Sequence, residues 1–192
     1  MLLKLRSDLA TGPISGLAVF GHDRFMDRPC SPEVDAYWEE FRRTRGVPQQ
    51  EFDVCRFGSS PEMGDELLLL VLKGPKRATA CLLRDVEQGG EAMARVGGHV
   101  VVVDGSDRPR AIWRTRTVEV KPLNQVDDAF AWDEGEGDRT RRDWLAMHVR
   151  YFSARAKAEG FTFTETMPAV FERFTLVWPP GDADPEGAAV GG

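Results

Sequence analysis

Lys76 and Thr79 stand three residues apart just after Gly74-Pro75, in the stretch LLLLVLKGPKRATACLLR, 67–84. A lysine held neutral by burial can take the proton of a hydroxyl, and the freed oxygen can then attack a carbonyl carbon. In an extended strand, residues three apart point to opposite faces. The pair therefore meets only if the chain bends, and the Gly-Pro turn supplies a bend. The plainer alternative is a surface lysine favoured by a helix C-terminus and an ordinary strand threonine.

A second group with chemical potential is EGEGD, 134–138. Glycines beside Glu134 and Glu136 suit a tight loop that approaches a ligand closely. A carboxylate there could orient Lys76, handle a proton, or accept from a base amine. Asp138 is better read as a charge at the start of the following helix. Trp132 flanks the acidic loop and is the candidate for stacking on a flat ring. Arg108, Arg110, Arg114, Arg116 and Lys121 follow one another along one hairpin. Arg114 and Arg116 share a face by alternation and are candidate phosphate or base contacts. A solvated strand face explains the same residues.

The elements that must position these groups can be read from caps and periodicity. Ser31 and Pro32 open a helix whose apolar face is Val34, Tyr37, Trp38 and Phe41, closed by Gly46 and Pro48. Ser60 and Pro61 open a second, with Met63, Leu67, Leu70 and Val71, closed by Gly74. Thr140 and Asp143 form a capping box before a third, with Leu145, His148, Val149, Phe152 and Ala156 on one face and Gly160 at its end. His148 reads there as a core histidine, and Trp38, Phe41, Trp144 and Phe152 as core aromatics. Strands are expected at 52–57, 77–84, 99–104, 111–120, 162–165 and 169–178, the third and fourth joined as a hairpin through Asp104-Gly105. This order predicts an α+β fold of antiparallel strands curled into a small barrel, with about three helices packed on it.

Composition narrows the function. The chain has 192 residues, 42% hydrophobic and 29% charged, with a net charge of −6. A grip on long nucleic acid would need a local basic patch. No apolar run reaches the ~20 residues of a membrane helix. Ser7, Asp8, Gly12 and Pro13 interrupt the first segment, which argues against a signal peptide. The three cysteines, Cys30, Cys55 and Cys81, form no C-x-x-C pair, and the three histidines lie far apart. A disulfide scaffold and a Cys or His metal site are not expected, which leaves only a carboxylate site for a hard cation open. No cofactor is implied, and a cytoplasmic setting fits the cysteine usage. Residues 1–30 read as an extension, 31–179 as the domain, and 180–192 as a disordered tail.

Three segments together resemble the ASCH domain family: FGSSPEMGDELLLLVLKGPKRATACLL, VVVVDGSDRPRAIWRTRTVEVKPLNQV and FAWDEGEGDRTRRDWLAMHVRYF. The G-x-K-x-x-T turn after a D-E-L-L helix matches its signature. So do the E-G-E-G-D segment, followed by W-x-x-x-H, and the closing strand ERFTLVW. The resemblance covers roughly residues 34–178. It implies a PUA-like fold with a cleft on one side of a small barrel, and a role near RNA or nucleosides. Members of the wider family are linked to RNA binding, to ribonuclease activity and to amide hydrolysis of N4-acetylcytidine. The small hydrolases among them use a Lys, a Thr and a Glu, which fall on Lys76, Thr79 and either Glu134 or Glu136, with Glu134 slightly favoured. This chain is much longer than those hydrolases. The resemblance thus implies an amidohydrolase of an acylated nucleoside, with Glu136, Trp132, Arg114 and Arg116 binding the substrate. The alternative is an RNA-binding module or single-stranded ribonuclease using the same cleft.

Overall fold

A computed structural model describes residues 23–24, 31–58, 60–88 and 92–185. Six strands form one curled sheet in the order β1-β2-β4-β5-β6-β3. They are β1 (Asp23–Arg24), β2 (Asp53–Arg56), β3 (Ala78–Leu82), β4 (His99–Val103), β5 (Pro109–Pro122) and β6 (Pro168–Trp178). The described helices are α1 (Pro32–Arg45), α2 (Pro61–Lys73), α3 (Leu83–Glu87), α4 (Asp128–Glu134) and α5 (Arg141–Glu159). The α+β class and the curled sheet match the expectation, with five helices in place of about three.

Local capping explains why three helices begin where the sequence says. Ser31, Ser60 and Thr140 each accept a hydrogen bond from the backbone N–H three residues on. α1 and α2 then cover opposite faces of β4. Trp38 and Phe41 of α1 share a core cluster with Val101, Val103 and Ile112. Leu68 and Val71 of α2 share another with Val100, Val102 and Trp113. All five residues of β4 are buried, so the strand is an apolar run with no solvent face. α5 closes a third cluster, setting Trp144 and Phe152 against Ala80, Leu82 and Phe171.

β5 is the longest strand. It pairs with β4 over its first half and with β6 along its length, with register shifts at Ile112/Trp113 and Thr115/Thr117. Such irregularities bend a strand and increase its twist, which lets one strand serve both halves of a curled sheet. A polar group is built into this interior. Glu172 is 2% exposed, and its carboxylate accepts from Trp113 Nε1 at 3.0 Å and Thr115 Oγ1 at 2.6 Å.

Several expectations need correction. β2 and β4 are parallel, because α2 and β3 intervene between β2 and its neighbour. The strand expected over 77–84 ends at Leu82, and α3 follows. Residues 162–165 form no strand. They lead into a turn closed by Met167 N–H donating to Thr164 O, and Asn124 N–H donates to Glu165 O. α4 was not foreseen; Asp127 caps it, accepting from Phe130 N–H at 2.7 Å. At the carboxyl end, residues 180–185 dock rather than trail away. Lys73 pairs with Asp182, and Arg77 holds the Asp184 carboxylate through Nε and Nη2. Of the expected extension, β1 adds an antiparallel edge to β2. The segment read for a leader and the last seven residues lie outside the described residues.

α3 is held to α5 by a buried carboxylate. Asp85, 3% exposed, accepts from Arg155 Nη1 at 2.6 Å and Nη2 at 2.9 Å. Arg155→Ala leaves that carboxylate with Arg84 alone, and removing one partner of a buried pair is costly. The expected loss is about 3 kcal/mol, read as a lower urea midpoint with an unchanged slope.

Candidate active site

The turn that carries Lys76 is fixed from both sides. Gly74 N–H and Lys76 N–H both donate to Leu70 O, so α2 ends in a tight turn rather than a frayed one. Arg77 N–H donates to Asp133 O at 2.7 Å, and Phe174 N–H donates to Arg77 O. These bonds lace the turn to α4 and to β6. α4 then stops at Gly135, whose φ is +74°. A Cβ at Gly135 would lie 2.8 Å from Lys76 N, so only glycine lets the two backbones approach this closely.

Lys76 is buried completely. Its Nζ donates to Glu136 Oε1 at 2.5 Å and lies 5.4 Å from the centre of the Phe57 ring. Burial alone would push the amine toward neutrality. The charges of Glu136 and Glu134 and the hydrogen bond to Glu136 outweigh it, and the pKa is raised. Lys76 is therefore an ammonium at rest, not the neutral base that burial by itself would make.

Glu134, the last residue of α4, is 2% exposed. His148 Nε2 lies 3.5 Å from its Oε1. The His148 ring stacks on Trp144 at 3.7 Å, and its Nδ1–H donates to Trp144 O at 2.9 Å. Burial lowers the His148 pKa, but the Glu134 charge and hydrogen bond, with Glu136 behind them, raise it overall. Basic and acidic side chains thus alternate from His148 through Glu134 and Lys76 to Glu136. Glu134, Glu136 and His148 face a cavity of about 210 Å³. Its other walls include Met63, Leu67, Ala80 and Tyr151.

The sequence-derived candidates divide. Lys76, Glu134 and Glu136 come together. Thr79 is 6% exposed in β3, opposite Glu172 on the same sheet face. The next residue, Ala80, lines the cavity and Thr79 does not. Asp138 caps the chain before α5, accepting from Thr140 N–H and Oγ1–H, which lowers its pKa. Trp132 is 58% exposed, and its ring is covered at 3.6 Å by the Arg139 guanidinium, so it does not reach the cavity. Arg114 and Arg116 line a different, larger cavity of about 670 Å³. The smaller cavity holds the titratable cluster and is the candidate active site. His148 belongs to that site instead of lying sealed in the core. Its signal was the i, i+4 spacing from Trp144, which sets the imidazole over the indole. Among the described residues no group of three or more His, Cys, Asp or Glu could hold a metal ion, and no helix is long and apolar enough to cross a membrane.

A curled half-barrel with helices on both faces and a motif-bearing turn at one edge defines a PUA-like protein. The ASCH domain model matches residues 53–178, and the chain belongs to the ASCH domain family. A crystal structure of a protein from Enterococcus faecalis is similar at 32% identity and a TM-score of 0.66, over 76% of this chain and 92% of that one. The crystal structure of an ASCH domain from Lactobacillus crispatus is similar at 29% identity and a TM-score of 0.67, over 80% of this chain and 98% of that one. No curated protein matches the chain.

The His148 pairing makes a pH dependence. A folded pKa above the ordinary 6.5 means the folded state holds its proton more tightly. That stabilisation is complete below the unfolded pKa and is lost as pH rises through the folded one. Wild-type Tm should fall as pH climbs from 6.5 into the alkaline range, and His148→Gln should flatten the fall. Lys76 has the same sign, but its window lies above 10.5. Thermal melts of both proteins across this range are the check.

Proposed function

We propose that this protein is an amidohydrolase that removes an acyl group from a modified nucleoside, with N4-acetylcytidine as the type substrate. The observation that carries the reading is the cluster of Glu134, Glu136 and His148 on the wall of a small, otherwise apolar cavity, with the Lys76 ammonium buried behind them against Glu136. Amide hydrolysis requires an oxygen nucleophile, a base for its proton, a positive charge for the developing oxyanion and an acid for the leaving amine. Glu136 takes the proton in this reading. Once it is neutral, the Lys76 ammonium has lost its hydrogen-bonded counter-charge, keeps only Glu134, and serves the oxyanion. The proton then passes to the departing amine as the acyl C–N bond breaks. With water as nucleophile the products are the free carboxylic acid and the nucleoside amine; with Thr79 an acyl ester forms first, which water then hydrolyses to the acid. Glu134 and His148 hold Lys76 and the cavity wall in place, and a carboxylate is also a suitable acceptor for the exocyclic amine of cytosine.

The family resemblance implies the Thr79 hydroxyl as nucleophile, but Ala80 rather than Thr79 lines the cavity, so the geometry favours water. Thr79→Val separates the two: turnover is abolished in the first case and kept in the second. A neutral nucleoside also suits a chain of net charge −6 better than a long polyanion does.

The test is turnover of a panel of acylated nucleosides at low and high salt. Lys76→Met and Glu136→Gln should each reduce kcat by about a hundredfold or more, with a smaller effect on KM. The wild-type rate should vary little with salt, because no phosphate counterions are released. Absence of turnover across the panel, beside cleavage of a single-stranded RNA, would replace this reading with a ribonuclease.

A further inference from the structure

The larger cavity has a chemistry of its own, independent of the hydrolase reading. It lies where α1, β4, β5 and β6 meet, and it takes up Arg114 and Arg116, which the motif-bearing turn does not use. Its volume of about 670 Å³ falls in the range of small-molecule sites. Arg45 adds a third guanidinium. One carboxylate reaches the rim, that of Asp184, but Arg77 holds it through three hydrogen bonds and Leu176 N–H donates to it as well. Three guanidiniums therefore line one cavity of a chain that is negative overall.

Two details mark the cavity as more than a basic surface. Arg114 is exposed and makes no ion pair or hydrogen bond among the described residues. His99, its register partner on β4, is only 6% exposed, lines the cavity, and has an Nδ1 with no hydrogen-bond partner. Leaving a buried polar nitrogen unsatisfied is costly, so native structures seldom do it where a ligand or water does not complete the site. Burial and the nearby Arg114 charge lower the His99 pKa to about 4, so the ring is neutral and reads a ligand by hydrogen bonding. The lining also includes apolar surface from Phe41, Val47, Pro48 and Val177.

We infer that this cavity is a binding site for a phosphate group carried on a flat, apolar body, the chemistry of a nucleotide. Arg114 and Arg116 both line this cavity, so their planar forks can address one phosphate together. His99 Nδ1 meets the adjoining part of the ligand, and the flat body lies along the Phe41 wall. A free mononucleotide and the end of an RNA strand present the same group.

Calorimetric titration with uridine 5′-monophosphate, uridine and hexauridylate tests the site at low and high salt. The monophosphate should bind at least about tenfold more tightly than uridine, with affinity falling as salt rises. Arg114→Gln and Arg116→Gln should each weaken it by about tenfold or more, since each removes a charged hydrogen-bonding partner. Lys76→Met, altered in the other cavity, should leave it unchanged. If hexauridylate binds more tightly than the monophosphate and still requires Arg114, the source is a strand. If the two bind equally, the source is the mononucleotide. The inference is overturned if neither phosphate compound binds, if both arginine variants bind like wild type, or if Lys76→Met alone abolishes binding. Melting curves of the arginine variants confirm that any loss is local.

Discussion

A charge that water never reaches organises this molecule. The Lys76 ammonium sits in the interior, and its charge persists there only because two glutamates lie beside it. Desolvating an ammonium costs several kcal/mol even after relaxation. Everything around the turn answers that cost. Gly135 lets α4 end against the Lys76 backbone, Arg77 N–H ties the turn to Asp133, and Glu136 reaches back across the gap. Removing either glutamate would leave the ammonium undercompensated, so the same residues serve the stability of the turn and the chemistry assigned to it.

β4 separates two differently furnished sides of the molecule. Its even-numbered valines face α2 and the interior that leads to Lys76, and its odd-numbered ones face α1. A strand buried on both faces cannot expose a side chain, so ligand-facing groups must come from its ends and neighbours. His99 supplies one such group at the first position of β4, and Arg114 lies opposite it on β5. The interior itself tolerates a carboxylate, Glu172, because an indole N–H and a threonine hydroxyl satisfy it.

What the sequence disclosed was local. Ser31, Ser60 and Thr140 act within their own helices, so each start was readable from a few residues. The hairpin of β4 and β5 was readable for the same reason. α4 spans only two turns, too short for apolar periodicity to register. The parallel β2–β4 pair depends on a crossover that no local signal encodes. The stretch 162–165 alternates like a strand but is used as a loop, since alternation does not supply a hydrogen-bonding neighbour. At the site, motif spacing brought out Lys76 and the glutamates. The protonation of Lys76 is set by side chains about sixty residues away, and it reverses the role that burial alone suggested. Charge and alternation singled out Arg114 and Arg116 but said nothing of their distance from Lys76. Trp132 neighbours the acidic loop in sequence, and three-dimensional packing sets its ring against the Arg139 guanidinium.

The pairing of β3 with β6 bears on how the molecule assembles. These strands meet across about ninety residues, from Ala78 to Arg173. Closing so long a loop delays contact formation, whereas the β4–β5 hairpin needs only its own turn. The turn bearing Lys76 gains its anchor to Phe174 only when β6 arrives. The pocket around Lys76 therefore depends on the slowest kind of contact in the sheet, whereas the helices and the β4–β5 hairpin need only neighbouring residues.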